Sequence, residues 1–183
     1  MACSSLVALP RACGAEGVMA GLEKLYMIAF ADLAPISGST EVYDTSVGGM
    51  VNEIGLDSGK HYVEVGLLKS TAGLQEALTK NAQNGTAFFT QTFTLVLGGI
   101  TAENRAFVQS VLNQPVAILI KSRTGKFFAA GLNGQFELSA AEGGTGTAES
   151  DLIGYTLTFS GISTALVPEV DPTIVEDLIT IEG

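Results

Sequence analysis

The sequence has no tryptophan, one histidine and two cysteines in 183 residues. One histidine and two thiols ten positions apart fall short of the four ligands of a structural zinc site, so His61, Cys3 and Cys13 do not form one. The cysteines read as free, partly buried thiols or, in an oxidising setting, as the ends of a closed N-terminal loop. Charge is scarce, at 15% of residues against roughly a quarter in a typical globular chain. No run approaches the roughly 18 apolar residues that a membrane helix takes. At the N-terminus the apolar stretch is short, and Arg11 follows it rather than preceding it, the reverse of a secretory signal. Basic residues are absent altogether after Lys126.

That last absence is the most informative. The same stretch carries Glu137, Glu142, Glu149, Asp151, Glu169, Asp171, Glu176, Asp177 and Glu182. Nearly all of the net charge of -10 therefore sits in the last third of the chain. The stretch also holds Tyr155 to Ser163, a strong strand pattern, so it is ordered acid rather than a solvated tail. A one-signed ordered surface repels nucleic acid or meets a basic neighbour. Lys121, Arg123 and Lys126 form the only basic cluster, too small for tight DNA binding.

Apolar residues make up 46% of the chain, enough for one domain with a real core. The pattern is mostly β. Strands are expected at Leu22 to Phe30, Thr86 to Ile100, Val116 to Lys121, Phe127 to Gly131, Phe136 to Ala140 and Tyr155 to Ser163. Asp57-Ser58-Gly59 reads as the turn of a hairpin joining 50–56 to 60–68. Asn84-Gly85, Thr124-Gly125 and Asn133-Gly134 are further turns. Ser70 to Asn81 is ambiguous: Leu74, Ala77 and Leu78 have helical spacing, but the stretch could also bridge two long strands. Thr101 can cap a helix from Ala102 to about Asn113, which Pro115 stops. The sum is an antiparallel β-sandwich or barrel with one packed α-helix over residues 21–166. Flexible arms flank it at 1–20 and 167–183.

No catalytic motif stands out, and no enzyme activity or cofactor is expected. Gly55-Leu56-Asp57-Ser58-Gly59-Lys60 is one residue short of a phosphate loop, and His61 replaces the required Ser or Thr. Asp57, Ser58 and His61 share one tight turn, where triad members cannot aim at each other. His61 is instead expected as a partly buried strand residue. Glu142, Glu149 and Asp151 lack the alternating ligands of a calcium loop. They sit on a Gly-rich stretch free of core duties and are the candidates for a lumen or interface surface.

Two segments carry a family resemblance. One runs from Cys13-Gly14 to Gly21-Leu22-Glu23-Lys24-Leu25-Tyr26-Met27-Ile28-Ala29-Phe30-Ala31-Asp32. The other runs from the Gly-rich Gly144-Thr145-Gly146-Thr147 through Tyr155-Thr156-Leu157-Thr158-Phe159-Ser160-Gly161. The layout resembles virion structural proteins of tailed phages that infect Bacteroidetes, including the crAss-like group, and more broadly the tail-tube family. The resemblance implies a tail tube or tail ring subunit, made in the host bacterial cytoplasm and located in the virion tail. It implies self-assembly, sixfold or a multiple of six, into a closed ring around a lumen. Other tail or portal proteins would be its neighbours, DNA would be passing cargo, and no membrane is involved. A capsid accessory protein is the near alternative. A surface β-sandwich adhesin or glycan-binding module is the alternative from another class.

Overall fold

The computed structural model describes residues 20–46, 48–146 and 153–179. All but the last residue of the expected N-terminal arm, 1–20, lies outside them, and so do Glu149 and Asp151. The described chain forms two sheets. The larger is built from β1 (Leu22–Ala29), β2 (Tyr43–Thr45), β3 (Val51–Ile54), β4 (Val63–Val65), β7 (Val116–Ser122), β8 (Phe127–Ala130) and β11 (Glu169–Val170). Its seven strands run in the order β2-β3-β11-β8-β7-β1-β4. The smaller contains β5 (Gly73–Asn81), β6 (Thr86–Gly98), β9 (Glu137–Gly144) and β10 (Gly154–Ser163), in the order β5-β6-β10-β9. Two α-helices, α1 (Ala102–Val111) and α2 (Pro172–Leu178), and a single 3-10 turn at Phe30–Asp32 complete the described elements.

The large sheet is a middle layer. Val116 to Ile120 are all buried, because β7 is covered on both faces; this explains its unbroken apolar run. One face supplies Leu25, Met27, Ile118 and Ile120 to a core shared with Phe93, Leu95, Leu157 and Phe159 of the small sheet. The other face supplies Tyr26, Ile28, Leu119 and Val51 to a second core, which Val175 and Leu178 of α2 complete. The architecture is thus a β-sandwich with an extra covering layer. Phe136 and Phe159 stack with ring centroids 6.3 Å apart, and Phe93 lies 6.5 Å from Phe159 at a tilt. Each such side chain contributes about 1.5–3 kcal/mol by burial, with aromatic contact adding about 0.5–1.5.

Helix α1 starts as its sequence demands. Thr101 accepts a hydrogen bond from the Asn104 backbone N–H at 3.1 Å. The Asn104 side chain donates to the carbonyls of Gly98 and Gly99, which fixes the helix to the end of β6. Phe107, Val108 and Val111 pack against the first core.

Several expectations are corrected. The stretch 70–81 contains the strand β5, paired with β6 from Gly73–Thr94 to Asn81–Thr86. Residues 50–68 do not form a hairpin: β3 pairs β2 and β11, whereas β4 pairs β1. The Asp57-Ser58-Gly59 turn does form, with the Lys60 N–H donating to the Asp57 carbonyl. Its two sides then diverge to different parts of the sheet. His61 is exposed, and it is Tyr62 that is fully buried.

Residues 167–179, expected as a flexible arm, are built into the chain's own core. β11 fills the middle of the large sheet, parallel to β3 and antiparallel to β8. A second helix follows, where one was expected in total. Asp171 caps it by accepting from the backbone N–H and the hydroxyl of Thr173, and Pro172 occupies the first turn. Those two bonds hold the Asp171 carboxyl below its ordinary pKa. The cap therefore contributes fully above the ordinary carboxylate range and is lost as pH falls through the lowered folded value. Ahead of β11, a Glu76 carboxylate oxygen accepts from the Val167 N–H at 2.6 Å.

Candidate functional site

The small sheet has one covered face and one bare face. Strand register decides which residues lie on each, because directly paired residues share a side. Phe93, Leu95, Leu157 and Phe159 point into the core. The opposite face therefore carries Gln75, Ala77 and Thr79 of β5 and Phe88, Thr90, Thr92, Thr94 and Val96 of β6. It continues through Thr156, Thr158, Ser160 and Ile162 of β10 to Ala140, Glu142 and Glu137 of β9. Most of it is hydroxyls and small side chains, with Phe88 and Ile162 at the end nearer the β5–β6 turn. Its only charges in the four strands are the exposed carboxylates of Glu137 and Glu142, and no Lys or Arg lies on it.

Both edges of this sheet are open among the described residues, since β5 and β9 each have a single partner strand. The three pairings in the sheet are all antiparallel, so β5 and β9 run in opposite directions. An open edge presents unpaired backbone donors and acceptors and is a template for another strand. The β5–β6 hairpin also projects beyond the core. Leu78, near its tip, is 60% exposed, and Ile162 on the neighbouring strand is 51% exposed.

Of the three residues singled out from sequence, the structure places only Glu142. It does not sit on a free loop. It lies in β9 opposite Thr156, because the strand runs on through Gly143 and Gly144. Its side chain is nonetheless exposed, on the bare face. Glu137 joins it there and was missed, although alternating Thr90, Thr92 and Thr94 already marked a face of its own.

The other lures do not assemble into chemistry. Among the described residues, no cluster of three His, Cys, Asp or Glu side chains could hold a metal ion. Cys3 and Cys13 lie outside the described residues. The basic residues near the large sheet are largely engaged: Lys121 pairs with Glu23 at 3.0 Å, Lys126 with Glu169 at 2.7 Å, Lys24 with Glu64 at 3.2 Å and Lys60 with Asp32 at 3.0 Å. No described helix is long and apolar enough to cross a membrane. No family model, curated protein or solved structure matches the chain.

Proposed function

We propose that this chain is a structural subunit of a phage virion, of the tail tube or tail ring type, which assembles into a closed ring around a DNA-conducting lumen. The observation that carries the reading is the bare face of the small sheet, with its hydroxyls, its two carboxylates and no base. Such a face lets a polyanion slide past without sticking, because repulsion needs no defined geometry. The edges support the same reading. β9 of one copy and β5 of the next run antiparallel when copies are related by rotation about an axis along the strands. Pairing them extends the sheet from copy to copy until it closes, which removes both exposed edges. Exposed Leu78 of the β5–β6 hairpin and Ile162 on the neighbouring strand then gain neighbours, whether copies of this chain or other tail and portal proteins.

Mass photometry and negative-stain electron microscopy across a concentration series test this directly. Rings of six copies or a multiple of six are expected. A protein that stays monomeric at every concentration, crowding agents included, sinks the reading.

The lumen assignment has its own test. Changing Glu142, Glu149 and Asp151 together to Lys is expected to leave the fold intact and make the assembly bind DNA. Binding through several phosphate contacts should weaken by about a thousandfold or more between roughly 50 and 200 mM salt. If the same change blocks assembly and DNA binding stays absent, the acidic surface is a docking face for protein and not a lumen wall.

A further inference from the structure

The C-terminal strap is held in a peculiar way. β11 is a central strand of the large sheet, yet it is only two residues long, and Val170 is fully buried between Val51 and Phe127. Without it, β3 and β8 do not touch as strands, so a slot opens in the middle of the sheet. The approach to that slot is loosely packed. A cavity of about 380 Å³ lies along Ser163, Leu166 and Pro168, with Gln91 in its wall. A second, of about 340 Å³, opens beside Val167 and Glu76 on the other side. Thr164, Ala165 and Leu166 are exposed. Two side chains, through Gln91–Ala165 and Glu76–Val167 hydrogen bonds, tie this stretch down.

The far end of the strap carries a built-in penalty. Tyr62 is buried in the cluster that α2 completes, and its backbone N–H donates to the Leu178 carbonyl at 2.8 Å. Among the described residues its hydroxyl has no hydrogen-bond partner. A buried hydroxyl without a partner opposes the state that buries it. Lifting α2 returns that hydroxyl to water.

We propose that residues 167–179 are an exchangeable strap, and that the β3–β8 slot accepts this segment from a second copy of the chain as readily as from its own. The contacts are identical in both cases, because donor and slot are the same sequences. What differs is the path of the short exposed hinge, 164–166. A closed chain presents its own strap at an effective concentration on the order of millimolar. Exchange therefore becomes favourable where copies are crowded, and it locks neighbours together through a central strand instead of through surface contacts. The proposal does not rest on ring closure, since any two crowded copies can exchange.

Cysteine pairing reads it out. Val51 and Val170 are register partners across the slot. In a chain with Cys3→Ser and Cys13→Ser, Val51→Cys and Val170→Cys are placed either together or on separate chains. The doubly substituted chain at low concentration should form an intrachain disulfide. Equal amounts of the two singly substituted chains, mixed near millimolar concentration and then oxidised, should form a disulfide-linked heterodimer. An intrachain bond in the first case with no heterodimer in the second overturns the proposal. Failure of the first bond overturns the slot geometry itself. Adding Tyr62→Phe removes the buried hydroxyl and should slow heterodimer formation on the order of 5–30-fold. An unchanged rate removes Tyr62 as the element that loosens the strap. Linkage between two free chains is read whether or not rings form, so failure here and failure of the ring reading are separate results.

Discussion

Val170→Asp is expected to destabilise the protein by about 3–5 kcal/mol, the range for a buried charge left without a partner. In a domain of this size that lowers the melting temperature by roughly 6–20 °C. Val170 is fully buried, in the central strand, with Val51 on one side and Phe127 on the other. The carboxylate would have no water and no counter-ion there. The change also unseats α2, because Val175 and Leu178 reach the second core only if β11 holds the chain in place. Ile162→Asp is the control. Ile162 sits on the bare face at 51% exposure, and its replacement should stay within about 0.5 kcal/mol of the parent, as exposed sites do. Circular dichroism melts of the two variants decide. Equal melting temperatures would mean that residues 167–179 are an appendage and not part of the core.

That outcome bears on what the sequence could and could not show. Local signals were legible. Thr101 followed by an amphipathic run announced α1, and its capping bond is present. Alternating Thr and apolar residues announced β6 and β10, and glycines at 85, 125 and 134 marked turns that do take positive φ. Pairing was not legible where it depends on distant chain. The Asp57-Ser58-Gly59 turn suggested a hairpin, but β11 and β1 claim its two sides. β5 hid because it is an edge strand with all but Leu74 exposed, so neither face imposes a hydrophobic alternation. β11 hid because two residues carry no pattern at all. α2 was readable: Asp171 and Pro172 are a helix start, and Ile174, Val175 and Leu178 share a face. The candidate surface was half visible. The acidic bias singled out Glu142, which is exposed but lies in a strand and not on a loop, while Glu137 became a candidate only once register showed which side it takes.

Gly131→Ala is the second large effect. Gly131 has φ +81°, a region that L side chains reach at a cost of about 1–2 kcal/mol. Position alone does not set the penalty. A Cβ at Gly131 would lie 2.3 Å from the Val116 carbonyl oxygen and 2.8 Å from the Phe136 Cβ. Neither can retreat cheaply. The Val116 N–H donates to the Phe136 carbonyl at 2.8 Å, and the Phe136 ring is buried against Phe159. This junction joins β8 of the large sheet to β9 of the small one, so displacing it shears the two layers that share the first core. Gly125→Ala isolates the steric part. Gly125 has nearly the same backbone angle, φ +84°, but a Cβ there meets nothing within 4 Å. Gly125→Ala should therefore cost only about 1–2 kcal/mol, from backbone strain. Gly131→Ala should cost at least about 2 kcal/mol more, the added amount being overpacking against atoms that cannot move. Urea unfolding measures both, as a shift in midpoint at constant slope. If the two variants unfold at the same urea concentration, the Phe136 junction yields to the extra methyl, and the close fit of the two sheets at this corner does not hold the sandwich together.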